Sequence, residues 1–263
     1  MQQSLTGTWG NKFGSTMSLY AQDERIIGIY SSHTGSTGEY LLVGNCSNNS
    51  PSDQLGQSVA FSIYWRNILP GEADPSWHWS GSMCGQLQIN GSMVLTNSIV
   101  VSLPFETYQK SNYIDELEFT RSKELSQPHK EAINKHFLSH QTSGKDTPTL
   151  PTRLTGTWAN TPMQTSIKIL PANALSGLTK AILTISGNEI ELLGFTDIDA
   201  NGSEAQSFSL AGYNHKTSQT LSLSGQLEAG SDALIIYSWA SQPTAPENSF
   251  MQTNLVSINL TRK

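Results

Sequence analysis

Leu5-Thr6-Gly7-Thr8-Trp9-Gly10-Asn11 recurs as Leu154-Thr155-Gly156-Thr157-Trp158-Ala159-Asn160, and only the Gly10/Ala159 position differs. A match of that length around a tryptophan, the rarest residue type, is poorly explained by chance. Further echoes keep the same order. Ile26-Ile27-Gly28-Ile29-Tyr30 answers to Leu175-Ser176-Gly177-Leu178-Thr179, and Trp79-Ser80-Gly81 to Leu223-Ser224-Gly225. Leu117-Glu118-Phe119-Thr120-Arg121 answers to Ile258-Asn259-Leu260-Thr261-Arg262. In a chain of 263 residues this period is one small domain, too long for a solenoid unit, and it reads as a duplicated domain. The expected division is a first domain over 1–122, a linker over 123–152 and a second domain over 153–263.

Within each half, short stretches such as Ser58 to Trp65, Met83 to Ile89 and Ala233 to Trp239 alternate or run apolar between Gly, Asn, Pro and Ser. That spacing predicts an antiparallel meander. About eight such strands close into a barrel, which removes the exposed edges and leaves an interior able to hold one small ligand. The fold class expected is therefore all-β, two antiparallel eight-stranded up-and-down barrels joined by a short helical linker. Trp9 and Trp158 are expected to plug the barrel floors. Between the halves, Ser126-Gln127-Pro128 carries a helix N-cap and a proline tolerated in a first turn. His129 to His140 then predicts a helix with Ile133, Phe137 and Leu138 apolar, and Thr142 to Thr152 an extended tether.

Composition narrows the function. Charged residues make up 14% and the net charge is −6, without the Lys/Arg cluster that a phosphate backbone requires, so no nucleic-acid partner is expected. No apolar run reaches the roughly 18 residues of a membrane span, and no signal-peptide core precedes the first motif. The chain reads as soluble, cytoplasmic and without a membrane partner. Cys46 and Cys84 match no zinc motif and are expected to be free thiols. His129, His136 and His140 fall near one face of the predicted helix and are expected to be solvated, so no metal and no cofactor are expected. Hydrolase-elbow, metalloprotease, phosphate-loop and dinucleotide signatures are absent.

Leu5-Thr6-Gly7-Thr8-Trp9, Asn11, Gly14-Ser15-Thr16, Gly28-Ile29-Tyr30, Trp65-Arg66-Asn67 and Trp79-Ser80-Gly81 together resemble the avidin and streptavidin family. The resemblance implies an eight-stranded barrel that binds biotin deep inside one end. It implies a cup for the ureido oxygen at Asn11, Ser15 and Tyr30, with Ser32 meeting a ureido nitrogen. A carbonyl oxygen in a low-dielectric cavity needs such converging amide and hydroxyl donors. Trp65 and Trp79 would be flat apolar walls. Trp77 stands where the family often has a small hydroxyl residue. Aligned through Phe119-Thr120-Arg121, the family's pocket Asp falls on Leu117, its cross-subunit tryptophan on Gln109 and a third wall tryptophan on Met93, beside Leu95. Asp115 or Tyr108 compensates only if a bulge shifts the register. In the second half Asn160 persists, but Gln164, Thr179, Gly212 and Leu223 stand for the cup serine, the tyrosine and the two tryptophans. That half is expected to lack a biotin-like pocket, to pack as a built-in partner subunit in an intrachain pseudo-dimer, and to cover the first barrel's mouth.

Three functions stay open at this point. One is a binding protein for a small organic, carbonyl-bearing, largely apolar ligand, with biotin disfavoured by Leu117. The second is an enzyme in which Tyr30, Asn11 and Ser15 polarise a substrate carbonyl, as a cofactor-free cyclase, isomerase or cycloaddition catalyst would. The third is a structural module without ligand. The stretch Glu72 to His78 reads either as a solvated loop or as a lid, with His78 facing out if Trp79 faces in. Homo-oligomerisation of the pseudo-dimer is a further expectation.

Overall fold

The computed structural model describes residues 5–33, 37–139 and 148–263. The first eight strands are β1 (Gly7–Asn11), β2 (Thr16–Gln22), β3 (Arg25–Ser32), β4 (Gly38–Cys46), β5 (Gln57–Tyr64), β6 (Trp79–Leu87), β7 (Ser92–Val101) and β8 (Ser111–Lys123). They pair in chain order into a closed antiparallel barrel. Helix α1 (Gln127–Ser139) follows, then β9 (Thr149–Leu150), β10 (Gly156–Asn160), β11 (Thr165–Ile169), β12 (Ala172–Asn173), β13 (Leu178–Ile185), β14 (Asn188–Thr196), β15 (Gln206–Asn214), β16 (Gln219–Leu227), β17 (Ala233–Ser241) and β18 (Thr253–Arg262). All of these strands except β9 and β12 close the second barrel. The fold is the expected pair of eight-stranded barrels with a short helix between them. The end of the expected tether is itself structured, because β9 pairs with β12; its residues 142–147, and His140, lie outside the described residues.

The repeated motif is one half of a lock. Trp9 and Trp158 are fully buried, and each indole N–H donates to the carbonyl of the leucine four residues earlier, at 2.9 Å from Leu5 and 2.8 Å from Leu154. The other half comes from the last strand of each barrel. Arg121 and Arg262 lie over the two indoles, 5.9 and 4.2 Å from the ring centroids, and donate to the carbonyls of Thr6 and Thr155. A Cβ at position 7 would lie 2.8 Å from Arg121 Nε, and one at 156 would lie 2.9 Å from Arg262 Nη1. Leu-Thr-Gly-Thr-Trp is thus conditioned on an arginine more than a hundred residues away.

Residues opposite one another on neighbouring strands share a face, so the two barrels can be matched by walking the register round from Trp9 and Trp158. Met17 and Ile167 come first, then Tyr30 and Leu183, then Tyr40 and Ile190. Ile63 matches Gly212 and Gly81 matches Leu221. The walk ends with Leu117 on Ile258 and Arg121 on Arg262. The first and last echoes are therefore structural, and the two between them need correction. Gly85-Gln86-Leu87 is the true counterpart of Gly225-Gln226-Leu227. Tyr30 corresponds to Leu183 rather than Thr179, because β12 and the turn at Gly177 are inserted ahead of β13. Ser15 corresponds to Thr165, Trp65 to Asn214 and Trp79 to Gln219.

The barrels pack side by side. Almost every residue of β5, β6, β15 and β16 is buried, which a barrel wall achieves only when its outer face meets another surface. Small side chains bring the walls close enough for hydroxyls to reach main-chain carbonyls of the facing barrel. Ser62 Oγ donates to Ser209 O at 2.8 Å, Ser222 Oγ to Phe61 O at 2.9 Å and Ser241 Oγ to Gly85 O at 2.9 Å. Helix α1 docks at the junction through Phe137, which packs with Leu41, Val43 and Tyr64 of one barrel and Leu178 and Phe195 of the other. Ile133 is also buried, whereas Leu138, expected on the apolar face, is exposed.

At one end of this seam His78 points away from the first barrel, as expected from Trp79 facing in, but onto the second barrel instead of solvent. Its Nδ1 lies 2.7 Å from Asp197 Oδ2, and Tyr64 donates to Asp197 Oδ1 at 3.0 Å. Arg66 pairs with Asp199. Burial pushes the His78 pKa down, but the hydrogen bond and charge of Asp197, helped by Glu204 and Asp199, push it up further, and the net shift is upward. The folded chain therefore holds this proton more tightly than the unfolded one. Its stabilisation is complete below the unfolded value of about 6.5 and is lost as pH rises through the higher folded value. The urea midpoint difference between wild type and His78→Gln is expected to be larger at acid pH than at alkaline pH. Cys46 and Cys84 are free and buried, and burial pushes both thiols up to about 12. Thiol titration of the native chain with a disulfide reagent should give no fast reaction, and both thiols should appear on unfolding.

Candidate functional site

An antiparallel meander gathers alternate connections at one end, so the β1–β2, β3–β4, β5–β6 and β7–β8 loops share the rim of the first barrel. The β1–β2 turn is built by Asn11, whose Oδ1 accepts the backbone N–H of Phe13 and of Ser15, each at 3.0 Å. Gly14 completes the turn at φ +85°, in the region that favours glycine. This arrangement sets Ser15 beside Tyr30, and their hydroxyls are hydrogen-bonded. The Ser15 and Tyr30 hydroxyls and the Asn11 Nδ2 amide are the donor groups gathered at this end of the barrel. Burial pushes the Tyr30 phenol above its ordinary value, against the opposing Ser15 hydrogen bond, so it stays a protonated donor. Ser32 is buried at the end of the same strand.

The walls are aromatic. Trp65 meets Tyr30 and Tyr40 edge-on, with centroids 5.5 and 4.8 Å apart. Trp79 packs on Trp77 at 5.1 Å and on Tyr108 at 4.7 Å. Phe105 lies 5.0 Å from Trp77, and Phe105 and Tyr108 exchange both backbone hydrogen bonds of a small bridge. The first barrel's own β7–β8 connection therefore covers the mouth, and the second barrel, expected to do so, lies against the wall formed by β5 and β6. The stretch Glu72 to His78 divides: Glu72 to Ser76 is exposed, while Trp77 joins the aromatic cluster and His78 the seam.

Met93, Leu95 and Leu117 are buried on the remaining wall, with Leu95 opposite Leu117. The β7–β8 register runs without interruption from Ser92 and Thr120 to Val101 and Ser111, so no bulge brings an acid to the Leu117 position. Asp115 is exposed at the rim, and its Oδ1 accepts its neighbour's backbone N–H. Tyr108 compensates in another way, as an added aromatic wall. Gln109 is exposed. Residues that sequence reasoning missed are Tyr40, Phe105 and Asn97. Asn97 carried a legible signal, as the one polar residue in the inward alternation Met93, Leu95, Asn97, Ile99, Val101.

The second barrel has no counterpart of this cup. Its apolar interior cluster is aliphatic apart from Trp158 and Phe208. Asn160 spends its amide internally, with Nδ2 donating to Asn259 O at 2.8 Å and Oδ1 accepting from Met163 N at 2.9 Å. Thr165, at the place of Ser15, bonds to Met163 O at 3.0 Å. A groove of ≈ 500 Å³ between the barrels, lined by charged residues such as Arg25, Lys180 and Glu191, lies away from the cup. Among the described residues no group of His, Cys, Asp and Glu is placed to hold a metal ion, and no helix is long and apolar enough to cross a membrane.

Since Tyr108 covers Trp79 edge-on, Tyr108→Ala should open the mouth. Acrylamide quenching of the tryptophan fluorescence should then rise, with the melting temperature lowered by a few degrees at most.

The turn-held asparagine, the serine and tyrosine hydroxyls and the tryptophan walls lie within the part of the chain that matches a known family. Residues 1–115 match the model of the avidin family, and the eight-stranded antiparallel barrel is the matching architecture. The match to the avidin family thus spans the first barrel, and the second barrel repeats the same topology.

Proposed function

We propose that the first barrel binds a small, carbonyl-bearing, largely apolar molecule at its loop end. Asn11, Ser15 and Tyr30 receive the carbonyl oxygen, and Trp65, Trp77 and Trp79 enclose the body, with Met93, Leu95 and Leu117 as the aliphatic wall and Ser32 beside the cup. The observation that carries this reading is the buried Ser15–Tyr30 pair beside Asn11, where three donor groups meet and only part of their hydrogen-bonding capacity is used internally. Burying such groups without a recipient is costly, about 1–3 kcal/mol for each unsatisfied donor. The second barrel supports the contrast. Its matching positions are aliphatic or internally bonded, as expected where the interior serves only stability.

Biotin is disfavoured as the natural ligand. Leu117 offers no acceptor for a buried ureido N–H, an omission expected to weaken binding roughly 10- to 100-fold relative to a site with a carboxylate there. The test is a calorimetric titration with 1-tetralone, a compact aromatic ketone, and with biotin, accompanied by native mass spectrometry of the chain as purified. The ketone is expected to bind one per chain, and Tyr30→Phe with Ser15→Ala to weaken it roughly 10- to 100-fold. Binding that is unchanged in the double variant, or that occurs at the second barrel, would sink the cup.

A further inference from the structure

Apart from Arg121 Nε at the barrel floor, three buried polar atoms of the first barrel's interior have no hydrogen-bond partner: the indole nitrogens of Trp65 and Trp79, and Oδ1 of Asn97. The two indoles are donors, and Asn97 Oδ1 is an acceptor. Asn97 is 6% exposed, and its register sets it opposite Met83 on β6 and Asp115 on β8, on the inward face that carries Leu95 and Ile99. Other unpaired buried hydroxyls on these strands, Ser58, Ser80 and Ser82, alternate with the inward residues and face the seam between the barrels. The interior set is therefore separate from the imperfect pairing of that seam.

Unsatisfied buried groups are rare in native proteins, and each one points to an absent partner. Trp65 Nε1 stands over Gly81, where an added Cβ would lie 3.0 Å from it. Trp79 Nε1 belongs to the neighbouring strand position, since Trp65 N donates to Trp79 O. Asn97 is one inward step along β7 from the Leu95–Leu117 pair. In an eight-stranded barrel, β3 with Tyr30 and β7 with Asn97 are four strands apart and face each other across the interior. The oxygen cup and the Asn97 acceptor therefore occupy opposite walls. His78, the one buried His, Lys, Arg, Asp or Glu among the described residues of this barrel, faces the seam. The interior is polar at both walls and uncharged.

Resting on the carbonyl-cup reading above, we infer that Asn97 is a specificity residue that accepts a hydrogen bond from an O–H or N–H at the end of the ligand opposite its carbonyl. The ligand class is an uncharged hydroxy- or amino-substituted carbonyl compound long enough to span the barrel, with further oxygen atoms available to the Trp65 and Trp79 N–H groups. An anionic group on the buried part is disfavoured, because Asp115 stands opposite Asn97 in the strand register and the Arg121 guanidinium is taken up over Trp9 and by the Thr6 carbonyl.

The experiment compares 6-hydroxy-1-tetralone with 6-methoxy-1-tetralone at pH 6.5, on wild type and Asn97→Leu. Calorimetry gives affinity, and the indole N–H resonances report occupancy. Wild type is expected to prefer the hydroxy compound about tenfold, one charge-free hydrogen bond lost, and Asn97→Leu to bind the two within about twofold of each other. Without ligand, Asn97→Leu should melt a few degrees higher, because it removes an unsatisfied buried group. Equal binding of both compounds to wild type, a preference that survives in Asn97→Leu, or a lower melting temperature for the variant would each overturn this inference and leave the cup standing. If neither tetralone binds wild type, the cup reading falls, and this inference with it.

Discussion

Where the first and last strands of each barrel pair, the indole of Trp9 or Trp158 lies under the guanidinium of Arg121 or Arg262. The contact joins the first strand to the last, so it is available only when all the strands between have paired in register. A buried Trp satisfied by a carbonyl four residues back and covered by a cation combines apolar burial with paired polar groups. The glycine two residues before each Trp is the space the guanidinium needs. Because this lock is the same in both halves, the two interiors have been free to diverge while the closure stayed the same.

Divergence runs along the inward faces. The first barrel keeps hydroxyls, amides and indoles inside, arranged around Ser15 and Tyr30 and walled by Trp65 and Trp79. The second has Leu183, Ile190 and Leu221 where the first has Tyr30, Tyr40 and Gly81, and Thr165, Asn214 and Gln219 where the first has Ser15, Trp65 and Trp79. The two interiors thus differ in chemistry within one chain, and the seam joins them. Its serines bond to main-chain carbonyls across the interface, and the His78–Asp197 contact ties the strand that carries Trp79 to the second barrel. The rim of the first barrel is thereby steadied from outside, without occupying its mouth.

Much of this was legible in the residues. The repeat, the strand-rich halves and the short helix each rest on local signals: an identical motif, alternating apolar residues, or an N-cap; the grouping of Asn11, Ser15 and Tyr30 came from the family resemblance. The mismatched inner echoes show where such reading fails. Leu223-Ser224-Gly225 resembles Trp79-Ser80-Gly81 but stands at Met83-Cys84-Gly85 in the ladder, and Thr179 falls beside Tyr30 in the sequence comparison because an inserted strand and turn precede β13. The β7–β8 bulge that would have returned an acid to the Leu117 position does not exist, and strand pairing alone decides that.

The amino-acid sequence by itself determined that the chain is a duplicated all-β protein with an unequal pair of halves, since periodicity, turns and the lock motif act over a few residues or repeat in plain view. The tertiary structure decided what those residues face. It showed that His78 meets Asp197 across a seam, that Phe105 and Tyr108 pack over Trp77 and Trp79 in place of the second barrel, and that Asn97 is buried on the inward face of β7. These are contacts between strands distant in the chain, set by barrel closure and by the packing of one wall on another, and no local pattern encodes which partner a side chain will find there.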